Sequence, residues 1–140
     1  MPEAMERTYE ELKTGESFSF EVLIDEDLVA AFRQLSGDRN PLHEKTEYAR
    51  ASSFGKPVVH GMIAGAFFSR LVGMHLPGKF GLYLSQTLHF RKPIFFGDKV
   101  TIRGEILEKS EAMKTIRVKT EALTQDGICT DGEALVRLLK

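Results

Sequence analysis

Apolar and polar residues alternate through Phe18-Ser19-Phe20-Glu21-Val22, the period of a strand with one buried face. Asp25 follows as a helix N-cap, and Leu28, Val29, Ala31, Phe32 and Leu35 then recur at helical spacing as one buried stripe. Ser36-Gly37-Asp38 stops that helix, with Gly37 at the C-terminal position. Asn40-Pro41 is turn chemistry, and a short helix is predicted from Glu44 to Ala51. From Gly61 to about Met74 almost no polar face remains, so a helix there is buried on most sides. Its small residues Ala64, Gly65 and Ala66 allow close packing.

Beyond Pro77-Gly78 the pattern turns to strands over Leu82–Phe90, Lys99–Leu107, Thr115–Leu123 and Ile128–Leu138. The corners between them are Phe96-Gly97-Asp98, Glu108 to Ala112 and Gln125-Asp126-Gly127. One strand, a buried helix and then four consecutive strands imply an α+β domain: a curved antiparallel sheet wrapped around a central helix. No repeat, linker or low-complexity segment divides the 140 residues, which form one domain, with residues 1–15 set apart as a peripheral N-terminal segment.

Composition narrows the function without naming it. A hydrophobic fraction of 42% and a charged fraction of 28% describe a globular protein. The net charge of -1, with no basic run, argues against nucleic acid or an anionic membrane surface as partner. A single cysteine, Cys129, rules out an internal disulfide framework and suits a reducing, cytoplasmic compartment. The charged N-terminus lacks a signal-peptide core, and Ile63–Phe68 is too short to span a bilayer. An enclosed cavity for a long ligand would strain a domain of this size, which favours a site completed by a second subunit.

The segment Ser36-Gly37-Asp38-Arg39-Asn40-Pro41-Leu42-His43 carries the candidate chemistry. It sets a carboxylate and an imidazole five residues apart across a proline turn that can aim both at one point. Such a pair suits general acid/base work near neutral pH, although an Asp after a helix-ending Gly is often only a turn former. A second element is His60-Gly61-Met62, where a helix N-terminus presents free amides and Gly61 leaves them unobstructed. Those amides could hold a carbonyl oxygen that gains charge as an enolate forms, or Gly61 could simply allow close packing. Ser69 on the same helix reads by itself as a hydroxyl bonded back to a helix carbonyl. The spacing of His43, His60, His75 and His89 matches no compact metal motif, and no glycine cluster forms a phosphate loop, so neither metal nor cofactor is expected.

Together these residues resemble the MaoC-like, or (R)-specific enoyl-CoA hydratase, family. Phe32 to His43, with Ala49 six residues on, contains that family's hydratase 2 motif in full. Phe54-Gly55-Lys56-Pro57-Val58-Val59-His60-Gly61-Met62 and Pro93-Ile94-Phe95-Phe96-Gly97-Asp98 are similar to it as well. The resemblance implies a hot-dog fold, with the sheet as bun and the helix as sausage. It implies that Asp38 and His43 hold and activate a water, that the Gly61 amide receives the thioester oxygen, and that Ser69 sits near the pair. Asn40, His60 and Met62 become candidates for substrate contact. The substrate would be an acyl-CoA thioester, bound near the interface of a homodimer or higher homo-oligomer.

The nearest competing reading keeps the chemistry but changes the carrier, giving a 3-hydroxyacyl-[acyl-carrier-protein] dehydratase. A hot-dog thioesterase or a non-catalytic hot-dog subunit would have no use for the intact run from Ser36 to His43. Lys56, Lys79, Arg91 and Lys92 are candidates for the carrier's phosphates, though such residues are more often plain solvated charges. Phe67, Phe68, Val72 and Phe95 are candidates to line or block an acyl tunnel, with ordinary core packing as the alternative.

Overall fold

Asp25 accepts a hydrogen bond from the Leu28 amide at 2.9 Å, so the first helix starts where its cap was expected. The computed structural model describes residues 2–140. Strand β1 (Ser17–Leu23) leads into helix α1 (Glu26–Ser36), which ends at Gly37 in the left-handed conformation with φ 76°. A 3-10 turn (Pro41–His43) and helix α2 (Glu47–Ala51) follow. The helix expected over Glu44–Ala51 is therefore shorter, because Thr46 caps it by accepting from the Ala49 amide at 3.1 Å.

Helix α3 (Ile63–Arg70) continues into a π turn (Leu71–His75), closed by the Leu76 amide on the Leu71 carbonyl at 2.9 Å. Together they form the sausage expected over Gly61–Met74. Strands β2 (Gly81–Gln86), β3 (His89–Phe90), β4 (Lys99–Ser110), β5 (Thr115–Thr124) and β6 (Gly127–Leu138) complete the chain. The sheet is antiparallel in the order β1-β4-β5-β6-β2, and β3 also pairs with β6.

The strand expected over Leu82–Phe90 is broken in two. Its register on β6 slips between Tyr83 and Ser85. The Thr87 carbonyl then presses so closely on Gly132 that a Cβ there would lie 1.8 Å from it. A bulge against a side-chain-free position replaces the regular ladder.

Alternation along β4 sends Val100, Ile102 and Ile106 inward, in register with Ala122 and Val118 on β5. Two clusters of buried side chains result. One joins Phe68 and Leu71 of the sausage to Ile102, Ala122 and Ile94, with Leu28 and Phe32 of α1 packed against it. The other joins Val72 and Leu76 to Ile106, Val118 and Val136. Tyr9 and Leu12, within the segment set apart on sequence grounds, are buried in this second cluster. Gly104 lets the helix settle on the sheet, since a Cβ there would meet Leu71 Cδ2 at 2.7 Å. Burial of the sausage is one-sided. Ile63, Ala64 and Phe68 face the core, while Met62, Ala66 and Ser69 are exposed. Among the described residues, no helix is long and apolar enough to cross a membrane.

Candidate active site

The loop after α1 is a chain of side-chain caps. Asp38 Oδ1 accepts from the Asn40 amide at 3.1 Å, and Asn40 Oδ1 accepts from the Leu42 amide at 2.9 Å. Proline at the first position of the 3-10 turn needs no donor, so the turn forms on these caps and delivers His43 at its end. There His43 Nδ1 meets the Val58 carbonyl at 2.8 Å. A carbonyl only accepts, so Nδ1 carries the proton; in the neutral ring, Nε2 is left with a free lone pair. That Nε2 lies 3.9 Å from Asp38 Oδ2. The gap is too wide for a direct hydrogen bond and suits a water held by both acceptors. The His43 side chain is 16% exposed and that of Asp38 47%, so the pair sits at the mouth of a cavity rather than in the core.

The cavity measures about 510 Å³. Asp38, His43, His60, Gly61 and Met62 line it, between apolar walls that include Leu42, Val59, Phe90, Pro93 and Ile94. Val58 and Val59 are tied to the body of the protein by a bridge between Val58 and Phe95 and by the Val59 amide on the Ile94 carbonyl at 2.8 Å. Gly61 precedes the sausage in a tight turn, in which Ile63 and Ala64 donate to the His60 and Gly61 carbonyls. Among the described residues no acceptor is found for the Gly61 amide. The close-packing role also holds, because a Cβ on Gly61 would lie 2.8 Å from Phe90 Cδ1.

The other sequence candidates separate. Met62 stands at the cavity wall, 56% exposed. Asn40 is exposed, caps the turn and does not line the cavity. Ser69 does not line it either, because it lies on the exposed face of α3. His60 is 1% exposed, and its Nε2 meets the Asp38 carbonyl at 2.9 Å. Of the four basic candidates, Arg91 and Lys92 line the cavity, whereas Lys56 lies over the Phe95 ring and Lys79 pairs with Glu6. Phe67, Phe68, Val72 and Phe95 do not line it; Phe68 and Val72 are core. Sequence spacing missed that Asp38, His43 and His60 bring one potential ligand atom each to within 4.8 Å of one another. It also missed Val58, whose contribution is a backbone carbonyl with no side-chain signature.

Comparison with known proteins agrees with this geometry. The family model described as the MaoC like domain matches residues 9–127. The chain belongs to the MaoC-like family. The MaoC-like chain is 43% identical over 111 residues to an (R)-specific enoyl-CoA hydratase of Aeromonas caviae, covering 79% of this chain and 83% of that protein. It is 33% identical over 140 residues to a 3-hydroxybutyryl-CoA dehydratase of Methylorubrum extorquens, covering 100% and 89%. The solved R-hydratase of Pseudomonas aeruginosa in its unliganded form superposes with a TM-score of 0.87 at 36% identity, over 94% of this chain and 84% of that one. The hot-dog architecture expected of this MaoC-like chain is therefore established.

Proposed function

We propose that this MaoC-like protein is an (R)-specific enoyl-CoA hydratase and 3-hydroxyacyl-CoA dehydratase, which reversibly adds water to trans-2-enoyl thioesters. The observation that carries the reading is the acceptor pair of Asp38 Oδ2 and His43 Nε2, 3.9 Å apart at a cavity shared with the Gly61 amide. A carboxylate and a neutral His43 with its lone pair outward are both acceptors, so a water between them directs one hydrogen to each. Its oxygen then forms the bond to the β-carbon as one hydrogen passes to an acceptor. The thioester oxygen takes the displaced electron pair, and the Gly61 N–H stabilises that charge. Return of a proton to the α-carbon regenerates the pair and balances the addition, and dehydration follows the same path backwards. No cofactor or metal takes part in this reading. The hydro-lyase names of the relatives at 43% and 33% identity support it.

A second copy of the chain is the proposed partner. Among the described residues, strands β2 and β3 form an unpaired edge flanking β6, with Leu82, Leu84 and Phe90 exposed on these strands and Met62 exposed at the start of the sausage. Open edges and apolar surface of this kind are ordinarily covered. The same contact would place Ser69 at a subunit interface. The single buried Cys129 supports a reducing, cytoplasmic setting. An acyl-carrier-protein thioester is the second reading. Arg91 and Lys92 at the cavity would serve the phosphates of either carrier.

The test is loss of enoyl-thioester absorbance with a short-chain trans-2-enoyl-CoA, followed by stereochemical assay of the alcohol. An (R)-alcohol is expected, with the signal unchanged by EDTA. No turnover across chain lengths would overturn the reading, and faster turnover of matched carrier-protein substrates would move it to the second.

A further inference from the structure

We infer that His60 is a positioning residue, a buried strut that fixes Asp38 and His43 relative to the Gly61 amide. The inference deepens the hydration reading proposed above and rests on it. The stretch from Gly37 to Asn40 is exposed, and its own hydrogen bonds are short-range. Gly37 donates to the Arg33 carbonyl, Asp38 to Ser36 Oγ and Asn40 to Asp38 Oδ1, while Asn40 accepts from Leu42 and His43. Among the described residues, the hydrogen bond tying this stretch to a distant part of the chain is His60 Nε2 to the Asp38 carbonyl, across 22 positions. The carbonyl requires that Nε2 carry the proton. His60 Nδ1 is then a bare lone pair, buried without a partner. A flipped ring would offer a carbon to Asp38, so the bond selects one orientation.

The same ring also touches the second half of the pair. Its centroid is 4.0 Å from that of His43 and 5.0 Å from that of Phe32 on α1. Its own carbonyl accepts from Ile63 at 3.1 Å, in the turn that presents the Gly61 amide. One residue therefore sets the distance between the water-holding pair and the oxygen-holding amide. Being 1% exposed, it meets the cavity with little of its surface.

Three variants separate the parts of this role. His60→Phe keeps an aromatic ring against His43 and Phe32 but has no donor for Asp38. His60→Gln keeps a donor near the Nε2 position and loses the ring, whereas the amide of His60→Asn is too short to reach it. A misplacement of about 1 Å is worth on the order of 10²-fold, so His60→Phe and His60→Asn should lose about that much kcat. KM should stay within about 3-fold, because binding contacts are kept. His60→Gln should recover most of the loss. In parallel, hydrogen exchange at the Asn40 and Leu42 amides should accelerate in His60→Phe and His60→Asn but not in His60→Gln. If His60→Phe does not fold, the contrast between Asn and Gln carries the test alone. Wild-type kcat in His60→Asn, equal loss in Asn and Gln, or unchanged exchange would each overturn the inference. The exchange measurement needs no turnover, so it reports on His60 even if the wild-type protein hydrates nothing.

Discussion

Replacing Asp38 by Asn exchanges one carboxylate oxygen for an NH2 group and tests the whole reaction scheme. Asp38 Oδ1 is occupied by the Asn40 amide at 3.1 Å, and an asparagine satisfies that donor equally well with its carbonyl oxygen. The turn that presents His43 therefore survives. Fixing the amide that way forces its NH2 into the place of Oδ2, facing His43 Nε2 across the 3.9 Å gap. A water between them then finds a donor where it needs an acceptor, and the carboxylate charge is gone. Loss of one acid/base group is worth roughly 10²–10⁴-fold. The middle of that range, about 10³-fold, corresponds to about 4 kcal/mol of transition-state free energy. The effect on stability should be small, within about 0.5 kcal/mol, because the side chain is 47% exposed. The assay is the initial rate of absorbance loss with an enoyl-CoA, alongside a urea melt of both proteins. A variant within about tenfold of the wild-type kcat and with an unchanged melt would refute the shared-water scheme.

Gly61→Ala brings a Cβ to 2.8 Å from the half-exposed Phe90 ring, which can move, so the fold should hold. If the amide receives the thioester oxygen, the methyl group costs about 10²-fold in kcat. A Gly61→Ala, Phe90→Ala double variant that regained full activity would show that packing alone was at stake. Gly132→Ala sets a Cβ 1.8 Å from the Thr87 carbonyl and should cost more than about 3 kcal/mol in a chemical melt; a loss below about 1 kcal/mol would show that the bulge relaxes freely. Burial and, secondarily, the nearby Arg70 hold the His75 imidazole below its ordinary value of 6.5. The folded state then takes up fewer protons than the unfolded one, so the His75 contribution to stability is complete above pH 6.5 and is lost as pH falls through the folded value. His75→Phe, which keeps the stack on Phe18, should flatten that fall when urea midpoints are compared on the two sides of the window; an equally steep fall would assign it elsewhere. If a second copy covers the β2 edge, as proposed, Leu82→Glu combined with Leu84→Glu should lower the mass by light scattering to that of one chain with the sheet signal intact, and an unchanged mass would refute that edge as a subunit contact.

Local chemistry was the legible part of the sequence. Asp25 and Gly37 bound α1 because a cap is decided by neighbours within one helical turn. The strands after residue 98 were located to within a residue at most ends, because turn residues bound them, although β4 runs on to Ser110. The break at Thr87 was hidden, since its cause is a glycine 45 positions away on β6. The one-sided exposure of the sausage was hidden as well, because apolar residues look the same in sequence whether they face the core or solvent. In the site, Asp38 and His43 could be paired from their spacing. What orients them, the Val58 carbonyl and the His60 ring, comes from residues 15 and 22 positions away.

Val58 and Val59 clip the loops bearing the acceptor pair to the edge of the core at Ile94 and Phe95, through a short run of hydrogen bonds. The long ladders of β4, β5 and β6 do not run through that clip. On the hydration reading, the loops that bear the acceptor pair would therefore loosen before the ladders of the sheet. Under rising heat or denaturant, turnover should disappear while the sheet still stands, and cooling should restore it without refolding of the domain. For anyone seeking a more durable version of this protein, reinforcement belongs at the clip, because further strengthening of the sheet would protect a shell that had already fallen silent.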